Sequence, residues 1–139
     1  MAVELLVNVD VDDLEQGIAF YVGAFGLRPG RRFGESGIEL LGGPAAIYLL
    51  VKKDGTLPFA GATEPRDYRR HWTPVHLDFV VTDVEAAVGR AVAAGARSEG
   101  EVASHVWGRM ALMSDPFGNG FCLIEFVGRG YDEIASVVS

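Results

Sequence analysis

The chain has 139 residues, of which 49% are hydrophobic and 22% are charged. This is close to the average of soluble globular domains and excludes a disordered, collagenous or coiled-coil chain. The 19 Asp and Glu residues against 12 Lys and Arg give a net charge of −7. That charge argues against nucleic-acid binding, because phosphate recognition needs a basic face. A single cysteine, the lack of an apolar run of about 18 residues and the lack of a signal-peptide pattern predict a cytoplasmic protein without a membrane span.

An internal repeat organises the sequence. Residues 6–15 align without a gap on residues 76–85, and several identical or apolar positions coincide. In each copy, apolar alternation followed by a 3.6-residue period predicts a strand and then a helix. Asp13 and Asp83 stand at the N-cap positions of these two helices.

Three strands are predicted after each helix, which ends before a glycine at Gly26 or Gly95. The strands are expected at 31–35, 37–41 and 45–51 in the first copy, and at 98–102, 106–113 and 120–127 in the second. We divide the single domain 1–139 into modules 3–51 and 74–127, a linker 52–73 rich in Pro, Gly and charge, and a tail 128–139 with a short helix at 131–138. Each module is therefore predicted to be β-α-β-β-β.

Three segments carry a family resemblance: residues 12–27 around the first helix, residues 75–88 in the second copy, and the Asp-Pro-Phe-Gly-Asn-Gly turn and last strand at 115–126. Together they resemble the vicinal oxygen chelate superfamily, which includes glyoxalase I, bleomycin-resistance proteins, fosfomycin-resistance enzymes and extradiol dioxygenases. The resemblance implies an α+β fold in which two tandem βαβββ modules form a curved mixed sheet around a cleft. Members commonly form dimers, so we expect a homodimer, with the modules paired either within one chain or across two chains.

Metal-using members of that superfamily hold a divalent ion with four side chains of the concave sheet face. The resemblance maps these positions to Leu6, Tyr48, His76 and Cys122. Only His76 keeps the ligand type, because leucine has no donor atom and the other two side chains must first lose a proton. We therefore expect no cofactor, with a divalent metal as the less favoured alternative.

Strand alternation assigns further residues to the concave face. On the predicted fifth strand Leu77 and Phe79 should face the helix, while His76 and Asp78 should face the cleft. The other candidate ligand-binding residues are Asn8, Tyr48, Trp72, Trp107, Arg109, Cys122 and Phe126. A carboxylate on an apolar sheet face needs a partner, and for Asp78 we expect His76, Arg109 or a ligand.

These residues describe a largely apolar pocket with a few polar groups, which is typical of a small-molecule site. The favoured interpretation is metal-free binding of a small, apolar or aromatic ligand, as the resemblance to bleomycin-resistance proteins implies. The alternative is a glyoxalase-like lyase or isomerase, or a dioxygenase-like enzyme, with His76 as general base, Asp78 as its acid–base partner and a rearranged or absent metal. A third possibility is a partner-binding protein whose cleft is vestigial. The sequence leaves open whether the chain is an enzyme.

Overall fold

A computed structural model describes residues 2–136 of the chain. The chain forms two compact units, Met1–Arg69 and Arg70–Ser139. Each unit has one β-sheet and, within the described residues, one α-helix, which confirms the α+β class. Across residues 2–136, no helix combines the length and apolar character needed to cross a membrane.

The first unit has the predicted order β-α-β-β-β. Its elements are β1 (Leu6–Val11), α1 (Leu14–Phe25), β2 (Arg28–Arg32), β3 (Gly37–Leu41) and β4 (Ala46–Val51). The sheet order is β1-β4-β3-β2, with β1 parallel to β4 and the other pairs antiparallel. The predicted strand 31–35 is misplaced, because Phe33 and Ser36 form a turn in which the Ser36 N–H donates to the Phe33 carbonyl. That turn forces β2 to end at Arg32.

The second unit repeats this order with one extra strand. Its elements are β5 (Leu77–Val80), α2 (Val84–Ala94), β6 (Arg97–Ser98), β7 (Ala103–His105), β8 (Gly108–Ser114), β9 (Gly120–Phe126) and a 3₁₀ turn (Gly130–Glu133). The sheet order is β5-β9-β8-β6, β5 is parallel to β9, and β7 pairs with β8. The predicted strand 106–113 begins two residues too early, because Val106 and Trp107 form the turn of a β7–β8 hairpin. Of the predicted strand 98–102, only Ser98 lies in a strand. The predicted tail helix is a 3₁₀ turn over its first residues, and residues 137 and 138 lie outside the described part of the chain.

Both helices begin and end where the sequence predicts. Asp13 and Asp83 each accept a 3.0 Å hydrogen bond from the backbone N–H three residues later, which satisfies one free donor of the first turn. Gly26 has a φ of 67°, in the left-handed region that favours glycine, and its N–H donates to the Val22 carbonyl. These local bonds fix the ends of α1 and the start of α2 independently of the rest of the fold.

Each helix packs on one face of its own sheet: α1 lies against β2, β3 and β4, and α2 lies against β6, β8 and β9. The largest fully buried side chains are Phe20, Leu40 and Leu49 in the first unit and Met113, Leu123 and Val84 in the second. Burying a side chain of this size contributes roughly 1.5–3 kcal/mol. We call the sheet surface turned away from the helix of the same unit the helix-free face.

Candidate functional site

The two copies of the repeat place equivalent residues side by side. Asn8 of β1 is the register partner of Tyr48 in β4, and Asp78 of β5 is the register partner of Cys122 in β9. Alternation puts both pairs on the helix-free face of their own sheet, together with Leu6, which is 56% exposed. Tyr48 and Cys122 therefore occupy equivalent places in the two units.

His76, Asp78 and Cys122 form a cluster on the helix-free face of the second unit. The Nε2 atom of His76 lies 3.1 Å from Oδ1 of Asp78, and one donor atom from each of the three residues lies within 4.8 Å of the others. The side chains of His76 and Asp78 are 52% and 40% exposed, whereas Cys122 is buried. Of the three partners expected for Asp78, the structure shows His76.

The environment of Cys122 keeps its thiol protonated. The pKa of Cys122 is raised to about 11, first by burial and then by the charge and the hydrogen bond of the Asp78 carboxylate. Arg70 acts in the opposite direction but does not offset burial. A thiol in this state is a poor nucleophile at neutral pH.

An ion pair that the sequence did not predict lies on the same face. The Nε atom of Arg70 is 2.7 Å from Oε2 of Glu99, whose N–H donates to the Leu112 carbonyl. The guanidinium covers Gly120, where an added Cβ would lie 2.6 Å from Nη2 of Arg70. The linker arginines all have acidic partners: Arg66 pairs with Asp10, Arg69 with Asp67 and Arg70 with Glu99. The mixed charges of the linker indicate that such pairs can form, but the linker sequence does not identify Glu99 as a partner of Arg70.

The predicted position of Arg109 on the concave face is wrong. Its guanidinium pairs with Glu85 of α2, and its register partner Glu125 accepts a 2.9 Å hydrogen bond from the N–H of Val84 at the start of α2. Both alternating sets of β8 are largely apolar, so the pattern alone does not tell which of them faces the helix. Ala111 and Met113 are buried on the helix side, and Met110 and Leu112 share the helix-free face with Cys122.

Trp107 and Phe126 belong to an aromatic cluster where β9 ends. The ring of Trp107 stacks on His105 with a centroid distance of 4.9 Å, and it lies 6.3 Å from the ring of Phe126. Tyr131, from the 3₁₀ turn, packs 4.7 Å from Phe126 and was not predicted. Trp72 precedes β5 and is 81% exposed. Of the three predicted aromatic residues of this unit, Trp107 and Phe126 therefore contact each other, and Trp72 is exposed.

The first unit holds a buried carboxylate that the sequence analysis missed. Glu39 is 7% exposed and accepts hydrogen bonds from the Tyr48 hydroxyl at 2.9 Å and from Nη2 of Arg31 at 2.7 Å. Hydrogen bonds from Arg31, followed by the one from Tyr48, lower the pKa of Glu39 to about 2. Gly30 leaves room for the carboxylate, since a Cβ there would be 2.6 Å from its Oε1. The available signal was a glutamate inside the otherwise apolar strand 37–41.

Comparison with known sequences gives a consistent result. A sequence profile described as "Glyoxalase-like domain" matches residues 6–124. An uncharacterized protein of Mycobacterium bovis is 32% identical over 134 residues, which cover 93% of this chain and 88% of the relative. The anthracycline biosynthesis protein DnrV of Streptomyces peucetius is 32% identical over 136 residues, 96% of this chain but only 44% of DnrV. The chain thus spans less than half of that protein.

Solved structures show the same fold. A glyoxalase/bleomycin resistance protein/dioxygenase family enzyme from Burkholderia phytofirmans superposes with a TM-score of 0.71 at 22% identity, covering 88% of this chain and 97% of that one. A fosfomycin resistance protein from Listeria monocytogenes superposes with a TM-score of 0.69 at 17% identity, covering 91% and 95%. At these identities the likeness concerns the fold, and it agrees with the fold that the resemblance implied.

Proposed function

Because the chain belongs to the glyoxalase-like domain family, we propose that it binds a small, largely apolar or aromatic molecule without the four-ligand metal site of its metal-using relatives. The observation that carries this proposal is a set of exposed apolar side chains on the helix-free face of the second unit. Val80, Leu112 and Phe126 are 63%, 44% and 38% exposed, and all three lie on the face that carries Asp78 and Cys122. Binding of a ligand to such a face is favourable, because it removes the apolar side chains from water.

The helix-free face changes character along β9, in a way that suits an elongated ligand. Arg70 covers Gly120 at the first residue, Asp78 lies beside Cys122, and Val80 lies beside Ile124. Phe126 and the aromatic cluster end the strand. A flat ligand could stack on the aromatic end, cover the apolar middle and direct a polar group toward the ion pairs at the other end.

Two further facts support this choice of ligand. Leu6 offers no donor atom, and the hydroxyl of Tyr48 donates to Glu39, so two of the four family metal positions are unsuited to a metal. The relative DnrV is named for anthracycline biosynthesis, and anthracyclines carry a flat fused-ring system. We therefore place fused-ring aromatic compounds first among the ligands to be tested.

Fluorescence titration of the full chain with an anthracycline and a panel of fused-ring compounds tests the proposal, with aliphatic compounds of equal size as the comparison. Val80→Gln on the helix-free face should weaken binding about five- to thirtyfold, since one apolar contact of this size contributes about 1–2 kcal/mol. Val92→Gln is the matched control, because Val92 is a 48% exposed valine on α2. Dissociation constants above about 1 mM for every compound would overturn the proposal.

The 3.1 Å contact between His76 and Asp78 favours a second candidate, an enzyme that uses His76 as a general base. A carboxylate beside an imidazole orients the ring and stabilises it when it takes up a proton. Such a dyad suits proton removal next to a carbonyl, the kind of step that a glyoxalase-like isomerase or lyase needs. Retention of full turnover by His76→Ala, on a substrate found by screening aromatic carbonyl compounds, would exclude this role.

A further inference from the structure

We propose that Arg28 and Arg31 bind the carboxylate of an aromatic acid on the helix-free face of the first unit. All the residues of this site belong to the unit Met1–Arg69. The site therefore needs none of the apolar side chains of the second unit, and different substitutions test the two proposals.

A β-bulge in the edge strand β2 turns the side chain of Arg31 onto this face. Between Pro29 and Arg32 the register of β2 against β3 shifts by one residue. Two residues of β2, Gly30 and Arg31, therefore oppose the single residue Glu39 of β3. Bulges often re-aim a side chain in this way, and here the guanidinium of Arg31 comes to lie over Glu39.

The same register assigns the other two arginines of β2 to faces. Arg28 is the register partner of Leu41, which lies two residues from Glu39 and so on the same face. Arg32 pairs with Glu15 of α1 at 2.7 Å and lies on the helix side. The bulge thus leaves two of the three arginines on the helix-free face.

Glu39 and Tyr48 hold the guanidinium of Arg31 in one orientation. Its Nε and Nη2 atoms donate to the carboxylate of Glu39, and Nη2 also lies 3.1 Å from the Tyr48 hydroxyl. The side chain of Arg31 is nevertheless 70% exposed, and within residues 2–136 no group accepts a hydrogen bond from Nη1. Both N–H groups of Nη1 are therefore available to a ligand. Because the guanidinium is already ordered, a carboxylate binds it at a smaller entropic cost.

The charges on this face favour an anion. Glu39 balances the charge of Arg31, whereas Arg28 is exposed and forms no ion pair with the residues from 2 to 136. One positive charge is therefore left uncompensated, in a chain whose net charge is −7. The register partners of the two arginines are two residues apart along β3, a distance of about 7 Å that arginine side chains span around one carboxylate.

An aromatic surface adjoins the two arginines. The ring of Phe33 stacks on Tyr48 with a centroid distance of 6.2 Å, and Phe33 is 45% exposed. Tyr48 in turn contacts Arg31 through its hydroxyl. An exposed ring next to an oriented guanidinium suits a ligand that carries a carboxylate on an aromatic ring.

The test compares 2-naphthoate with its neutral amide, 2-naphthamide, by isothermal titration calorimetry of the full chain. The acid should bind at least about tenfold more tightly than the amide, because only the acid forms charge-assisted hydrogen bonds. Arg31→Gln should reduce this preference at least about tenfold, and Arg28→Gln at least about threefold. Arg32→Gln is the matched control, since Arg32 is the neighbouring arginine on the other face, and should leave the preference within about twofold.

Three results would overturn the carboxylate site: equal affinity for the acid and the amide, a preference that survives Arg28→Gln, or an equal loss in Arg32→Gln. Inorganic phosphate that binds as tightly as 2-naphthoate would overturn the choice of an aromatic ligand. Arg31→Gln removes the partner of a buried carboxylate, so circular dichroism must show that it folds. If it unfolds, Arg28→Gln decides, because Arg28 has no ion pair to lose within the described part of the chain.

Val80→Gln separates this site from the ligand face of the second unit. It should weaken neutral fused-ring compounds, as argued above, and leave the preference for the acid over the amide within about twofold. Loss of that preference in Val80→Gln would place the acid on the second unit and overturn the site at Arg28 and Arg31. Either proposal can therefore fail alone.

Discussion

The hydroxyl of Tyr48 donates a 2.9 Å hydrogen bond to Oε2 of Glu39, a carboxylate buried in the middle of β3. Arg31 completes the network with a 2.7 Å ion pair to the same oxygen. The network satisfies a buried charge that would otherwise be costly. The superfamily resemblance places a metal ligand at Tyr48. Here the hydroxyl of Tyr48 is instead engaged in a structural hydrogen bond.

Glu39→Gln should destabilise the protein in a pH-dependent manner. The pKa of Glu39 is lowered to about 2, below the value of about 4.3 in an unfolded chain. The carboxylate therefore stabilises the fold fully above about pH 4.3, and this contribution is lost as the pH falls toward 2. In urea unfolding, the free energy of unfolding of wild type should be well above that of Glu39→Gln at pH 7. The two values should converge near pH 2. Glu35→Gln, at an exposed glutamate, should show no such convergence.

Asp13→Ala should lower the free energy of unfolding by about 1 kcal/mol, because the N–H of Gln16 loses its acceptor. Asp12→Ala, at the preceding exposed position, should change it by less than about 0.5 kcal/mol. Urea unfolding followed by helical circular dichroism measures both. Equal effects of the two substitutions would mean that the cap contributes nothing specific.

Asp78→Asn should speed the alkylation of Cys122. The carboxylate of Asp78 helps to hold the pKa of the thiol at about 11, so removing its charge lowers that pKa and increases the thiolate fraction at pH 8. We expect a several-fold faster reaction with iodoacetamide in Asp78→Asn than in wild type. A rate that is unchanged across pH 7–10 would show that access, and not charge, limits the reaction.

Leu112→Ala and Arg109→Ala should affect ligand binding differently although the residues are close in sequence. Leu112 lies on the helix-free face, and its loss should weaken aromatic ligands about tenfold. Arg109 pairs with Glu85 on the helix side, so Arg109→Ala should leave affinity within twofold. Titration of both variants with the same compound tests whether Arg109 lies on the helix side, as observed, or on the ligand-binding face, as the sequence predicts.

Two-fold assembly and a cytoplasmic location stay predictions. Sedimentation equilibrium should give twice the chain mass at micromolar concentration if the chain forms the homodimer that its resemblance implies. A single species of the chain mass would rule out that dimer in the range measured.

Short-range patterns predicted much of the fold. The N-cap bonds of Asp13 and Asp83 and the end of α1 at Gly26 depend on residues within one helical turn, so the sequence located them correctly. The alternation of Leu77 and Phe79 against Asp78 was also correct, because β5 is uninterrupted. His76 precedes β5 and lies beside Asp78. On β8 the same reasoning failed for Arg109, because both alternating sets of that strand are largely apolar and the pattern does not tell which of them faces the helix.

The sequence by itself determined the α+β class, the repeat, both helices and the equivalence of Asn8 with Asp78, since these follow from local hydrogen bonds and from a period that recurs along the chain. Only the tertiary structure decided which charges meet. The partners of Glu39, Arg70 and Arg109 lie on other elements, and neither composition nor spacing encodes the register and turn geometry that bring them together. The same holds for the cluster of His76, Asp78 and Cys122, where strand pairing joins two neighbours to a residue far along the chain.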